Sequence, residues 1–232
     1  MAASNLQKQA SKDVPGGIPS KEECIYTSHY CEENIWMLVK KIQEINPENL
    51  PNCFVVFISN ENKYIPLWRQ SSSKHENGLV VWDYHVIMVY YNGIKSWVYD
   101  LDTQLSFPSQ FSEYSKETFK SDDFLNPLCH RFYRVVPAES FLKYFSSDRR
   151  DMKNEDSSWK MPPPPYPPIR SCEDIHNLPH YTSMKASNDS GLISKFGNVF
   201  NLKDFIDRFT CKKSPDVNYM YPPDPLQPSW MA

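Results

Sequence analysis

Residues 79–100 constrain the fold more than any other stretch of this chain. Leu79 to Tyr91 is a run rich in Val, Ile, Tyr and Trp; Asn92-Gly93 follows it, and Lys95 to Asp100 returns in the same character. β-Branched and aromatic residues suit a pleated, half-buried surface, and Asn-Gly between two such runs favours the primed turns that join antiparallel strands. The pattern predicts a hairpin. With two residues in the loop, Tyr91 and Ile94 close the turn, and the same register carried back sets His85 directly opposite Asp100. Opposed residues on one face have Cβ atoms ~4.5–5.5 Å apart. A carboxylate at that distance can accept a hydrogen bond from an imidazole, fix its tautomer and stabilise its cation. The register carries this inference, because a one-residue slip moves the two side chains to opposite faces. It also opposes Asp83 and Asp102, which is unfavourable unless the ladder stops short or the acids have a task.

The elements around the hairpin point to one α+β domain. Ile35, Leu38, Val39 and Ile42 recur at helical spacing, which predicts a helix from Glu32 to about Ile45 that ends before Pro47. Strands are predicted at Cys53–Ile58 and at Tyr64–Trp68, where Pro66 marks an edge or a bulge, and a further strand at Phe132–Val136. Short helices follow at Ala138–Phe145 and at Leu202–Phe209, the latter capped by Asn201. Pro162 to Pro168 must run extended, as a strap over the surface or as a ligand for a proline-binding domain. The domain boundaries read as a flexible arm over 1–22, a single domain over 23–211 and a proline-rich tail over 212–232.

Composition narrows the chemistry. The chain has 232 residues and a formal net charge of −3, so nothing steers it toward nucleic acid. It has no apolar run long enough to span a membrane, and its first residues lack the apolar core of a secretory signal. The expected compartment is reducing, where the six cysteines are free thiols. Phosphate-cradling glycine motifs, the GxSxG elbow and HExxH are all missing. Cysteine, histidine and carboxylates remain. Cys31 directly precedes the first helix, where the dipole and free amide protons favour a thiolate, while Glu32 and Glu33 oppose it. Cys53 reads as core, and the other cysteines lie in weakly structured segments. A cysteine heading an early helix, followed by His and Asp on adjacent strands, is the order of papain-like and transglutaminase-like hydrolases. On residues alone, a Cys-His-Asp acyl-transfer enzyme stands beside a structural histidine and a buried thiol.

Several stretches together resemble the protein N-terminal glutamine amidohydrolase family: Tyr30-Cys31-Glu32-Glu33-Asn34, Val81-Trp82-Asp83-Tyr84-His85-Val86, Tyr99-Asp100-Leu101-Asp102-Thr103, Lys120-Ser121-Asp122-Asp123 and Pro162-Pro163-Pro164-Pro165-Tyr166-Pro167. The resemblance runs from about Cys24 to Phe209. It implies a papain/transglutaminase-like α-β-α sandwich with a central antiparallel sheet. It implies deamidation of an N-terminal glutamine to glutamate with release of ammonia, through a thioester, feeding the N-degron route. Its catalytic Cys, His and Asp fall on Cys31, His85 and Asp100, and no cofactor or metal is implied. The partners would be proteins or peptides with a free N-terminal glutamine, met in the cytoplasm and also the nucleus; a monomer is the expectation from the sequence itself, which shows no heptad seam or other oligomerisation motif. A free α-ammonium calls for a carboxylate, for which Asp83 or Asp102 is the expectation. A transglutaminase or cysteine peptidase with the same triad, or an inert binding module, remains the alternative.

Overall fold

The structure is a computed structural model that describes residues 15–210. The expected arm up to residue 14, Cys211 and the tail over 212–232 lie outside the described residues. A six-stranded antiparallel sheet forms the centre, in the order β6-β5-β4-β1-β7-β8. The strands are β1 (Cys53–Ser59), β4 (Tyr84–Tyr91), β5 (Ser96–Tyr99), β6 (Ser109–Gln110), β7 (Phe132–Pro137) and β8 (Asn198–Asn201). β2 (Ile65–Leu67) and β3 (Val80–Trp82) pair with each other in a separate two-stranded sheet. No helix among the described residues is long and apolar enough to cross a membrane.

Every residue of β1 is buried, because helices cover both faces of the sheet. Alternation along the strand divides its side chains. Cys53, Val55 and Phe57 face one core with Ile35, Leu38, Val39 and Ile42 of α1 (Cys31–Ile45), and Phe141 of α3 (Ala138–Tyr144). Phe54, Val56 and Ile58 face the other core with Phe111 of α2 (Phe111–Tyr114), and with Phe205 and Phe209 of α6 (Leu202–Phe209). There Tyr133 stacks on Phe205 with centroids 4.3 Å apart. Large side chains such as these each contribute roughly 1.5–3 kcal/mol on burial. α4 (Leu178–Thr182) and α5 (Ser190–Phe196) complete the first layer. The Asn201 side chain caps α6 by accepting the Asp204 amide at 2.9 Å.

Two expectations about the hairpin need correction. The run from Leu79 to Tyr91 is not one strand but β3 and β4, broken at Asp83. Asp83 withdraws from the ladder: its side chain accepts its neighbour's amide, Tyr84 N–H, at 2.9 Å, and its carbonyl accepts the Ser59 hydroxyl at 2.9 Å. Short polar side chains compete with strand pairing in this way. The register is also different: Tyr91 pairs with Ser96, and Met88 with Tyr99. Asn92 donates its N–H to Lys95 O at 3.3 Å, so Gly93 and Ile94 are the central pair. Gly93 takes φ +85° at the first central position, where a primed turn needs glycine. The Asn92 side chain accepts the Ile94 and Lys95 amides at 3.1 and 2.9 Å, bridging the turn from outside instead of sitting within it. The displacement is two residues, so it preserves the face: Asp100 lies diagonal to His85 instead of opposite it, on the same side.

The Gly93 backbone sits in open space, so an added Cβ meets nothing but strains its own φ. Gly93→Ala should therefore cost ~1 kcal/mol in urea unfolding, with the geometry at His85, at the far end of β4, unchanged.

Candidate functional site

Asp100 follows β5 directly and is 1% exposed. Its Oδ1 lies 2.9 Å from His85 Nε2 and accepts the Asp102 amide at 2.9 Å. Its Oδ2 accepts the Tyr114 hydroxyl at 2.7 Å and the Gln70 carboxamide at 3.2 Å. Burial works to raise the Asp100 carboxyl, but the His85 charge and these hydrogen bonds hold it below the usual range. His85 is fully buried in β4, with the Trp82 ring stacked on it at 5.2 Å. Burial alone would lower the imidazole, but the Asp100 charge and hydrogen bond outweigh it, so His85 is a stronger base than a free histidine. Nε2 is engaged with Asp100, while Nδ1 is buried and has no hydrogen-bond partner among the described residues.

Cys31 is the first residue of α1 and is half-buried. The Asn34 side chain clamps the incoming turn, accepting Thr27 N–H and donating to Thr27 O, both at 2.8 Å. α1 packs against β4, which brings the sulfur to the Val86 amide, one residue along from His85. Tyr84 strengthens this junction by donating its hydroxyl to Glu32 at 2.9 Å. The structure thus brings the Cys31 sulfur to Val86, the residue next to His85 of the His85–Asp100 pair. Burial pushes the Cys31 thiol well above its ordinary range, and Glu32, Asp102 and Asp83 push the same way; the Val86 amide opposes them. The sequence left the sign open between helix dipole and acids, and in the fold the acids and burial win.

The two glutamates beside Cys31 differ. Glu33 is buried but compensated, since Arg149 donates to both of its oxygens at 2.9 and 2.8 Å. Arg149 takes a left-handed φ of +62°, lies over the Tyr166 ring and donates to Pro164 O. Tyr30 donates to Met161 O, so the Pro162–Pro168 strap, which bends at Pro165 and Tyr166, is tied to the head of α1. Glu32 is 2% exposed and is held by its own backbone amide, Tyr84 and the Cys31 thiol, with no cation paired to it among the described residues. Burial raises its carboxyl to about 7. Asp102 is buried and accepts the Tyr26 hydroxyl, whereas Asp83 is exposed. Sequence reading missed Gln70, Tyr114, Tyr26 and Tyr84 as partners; they come from distant segments, and nothing local marks them.

His85, Asp100 and Asp102 lie close enough to share a metal ion. The hydrogen bonds argue otherwise: both Asp100 oxygens are filled by N–H and O–H donors, and His85 Nε2 is engaged with one of them. Such donors surround an anion and would repel a cation. A broad groove of about 790 Å³ lies beside α6, lined by Lys120, Asp122, Asn201 and Ile206. Asp122 is paired there with Arg131 and Asn201 serves as a cap, so the groove adds no reactive group.

The profile of the N-terminal glutamine amidase family matches residues 26–209. The chain is 45% identical over 201 residues to the protein N-terminal glutamine amidohydrolase of Drosophila mojavensis, covering 86% of this chain and 94% of that one. It is 44% identical over 200 residues to the protein of the same description from Drosophila melanogaster, with the same coverage.

Two stability measurements follow. Arg149→Met leaves Glu33 buried without its counter-charge and should cost ~3–5 kcal/mol; the double variant Glu33→Met/Arg149→Met should recover most of it. Glu32 titrates near 7 in the fold against 4.5 ordinarily, so between those values the folded state holds the extra proton. The contribution of this group is therefore complete below pH 4.5 and lost as pH rises through 7. In urea titrations, Glu32→Gln should gain on the parent by a few kcal/mol across that window.

Proposed function

The chain belongs to the N-terminal glutamine amidase family and is an amidohydrolase, and from that premise we propose that Cys31, His85 and Asp100 form a catalytic triad that deamidates N-terminal glutamine to glutamate. The observation that carries this reading is the buried His85–Asp100 pair, with Nδ1 unpartnered among the described residues, at the strand end that meets the Cys31 sulfur. The papain/transglutaminase-like architecture belongs to the same proposal, supported by the helix-first order and the two-sided antiparallel sheet.

Chemistry follows from these positions. His85 Nδ1 takes the thiol proton, and the sulfur attacks the side-chain carboxamide carbon of the substrate. The tetrahedral oxyanion needs N–H donors. One is the Cys31 backbone amide, which has no intrahelical partner at the first helical position. A second is the Trp82 indole N–H, which is buried without a partner on the ring stacked against His85. His85 returns the proton to nitrogen as ammonia departs, leaving a thioester. Water, deprotonated by the same imidazole, then hydrolyses the thioester to glutamate and regenerates the thiol. Asp100 orients His85 and stabilises its cation throughout. The product, a protein with a new acidic N-terminus, suits the N-degron route, and we place the enzyme there as a monomer acting in the cytoplasm and nucleus.

Ammonia release from a short glutamine-first peptide tests this, beside the N-acetylated peptide and an asparagine-first one. Ammonia should come from the free glutamine peptide alone and vanish with Cys31→Ala. Asp100→Asn should keep the fold and lower kcat by about 10⁴, and Trp82→Phe should lower it by about 10²–10³ with KM little changed. Release from acetylated or internal glutamine would make the enzyme a broad deamidase, and amine incorporation would make it a transglutaminase.

A further inference from the structure

Glu32 is the anomaly in this molecule. Its neighbour Glu33 has a guanidinium, and Asp100 has an imidazole and three further donors. Glu32 is as deeply buried, yet its donors among the described residues are all neutral: its own backbone amide, the Tyr84 hydroxyl at 2.9 Å and a weak thiol contact from Cys31 Sγ at 3.7 Å. Among the described residues, the other titratable groups around it are Glu33, Tyr30 and Tyr166, with Asp83 and Asp102 beyond the thiol; Arg149, which faces the first three, is paired with Glu33 and not with Glu32. A buried carboxylate without a counter-charge is costly. Such a group persists where a ligand supplies the missing charge.

We propose that the Glu32 carboxylate receives the α-ammonium of the substrate's N-terminus, and that the substrate's own charge thereby frees the Cys31 thiol to ionise. This rests on the amidase reading above. In glutamine the α-nitrogen lies four bonds from the carboxamide carbon, about 5 Å when extended and less when folded. A carbon within reach of Cys31 Sγ therefore places the ammonium within reach of a carboxylate that touches the same sulfur. Asp83 is exposed, and Asp102 is held by Tyr26 in the group around His85 and Asp100, so neither meets the thiol this way. An acetylated or internal glutamine offers a neutral amide and leaves Glu32 uncompensated. Above pH 7, where Glu32 is ionised in the empty site, its charge beside Cys31 keeps the proton on sulfur. Once the ammonium is seated that charge is neutralised, and the proton moves from Sγ to His85 Nδ1. Selection of a free N-terminus and activation of the nucleophile are then one event.

The test is a cycle of charge on the enzyme against charge on the substrate. Parent enzyme and Glu32→Gln are each assayed on a glutamine-first peptide and on its analogue with a hydroxyl in place of the α-ammonium. The parent should prefer the ammonium substrate by about 100-fold in kcat/KM, and Glu32→Gln should lose that preference. Iodoacetamide labelling of Cys31, read by mass spectrometry, should show the variant's thiol ionising at lower pH than the parent's, which a merely structural role for Glu32 would not produce. Should the glutamine variant fail to fold, Glu32→Met, neutral and of similar size, serves in its place. Retention of the parent's preference by the neutral variant, or a parent indifferent to the two substrates, overturns the role of Glu32 and leaves the amidase reading standing. A folded parent that releases no ammonia from either peptide overturns the amidase reading itself.

Discussion

The rest of the site depends on one buried ion-accepting group, Asp100. An ionised carboxylate taken out of water costs several kcal/mol even after relaxation, and hydrogen bonds to a charged group return roughly 1.5–3 kcal/mol each. Asp100 collects four of them, from His85 of β4, Tyr114 of α2, Gln70 after β2 and the backbone of Asp102. Together they offset that cost and keep the carboxylate ionised in its pair with His85. What it contributes is position. Four segments must converge for the carboxylate to be tolerated, and their convergence fixes the imidazole in one orientation with Nδ1 free.

On the thiol side the logic is reversed. Cys31 stands at a helix N-terminus, which favours an anion, yet burial and Glu32, Asp102 and Asp83 hold its proton in place. An acidic pocket around a nucleophilic cysteine suits an enzyme whose substrate arrives with a positive charge. The Arg149–Glu33 pair and the proline strap serve a different end, fixing the head of α1 from behind. Burial of charge goes without a counter-charge at Glu32 and is compensated by Arg149 at Glu33, one residue apart.

The fold was legible where a pattern is local. The period of Ile35, Leu38, Val39 and Ile42 located α1 to within a residue of its start, and Asn201 marked the beginning of α6. The hairpin was legible in kind but not in register, because Asn-Gly names a turn without saying which residue enters it. Asn92 caps the turn from its side chain, and Gly93 alone supplies the positive φ. The His85–Asp100 contact survived that error because a two-residue displacement keeps the face. The break at Asp83 was hidden, since Val80–Trp82 and Tyr84–Tyr91 read alike and differ in which sheet they join. Gln70, Tyr114 and Tyr84 were invisible as partners, because their roles come from chain segments brought together by the fold.

Covalent attack by Cys31 is the step on which the proposed chemistry depends. Acid quenching of the enzyme during turnover of a glutamine-first peptide, followed by mass spectrometry of the fragment carrying Cys31, tests this directly. The prediction is an adduct on Cys31 with the mass of the peptide less one ammonia, labile to hydroxylamine and missing from Cys31→Ala. Steady ammonia release by Cys31→Ala, or rapid turnover with an adduct on another residue, would contradict it.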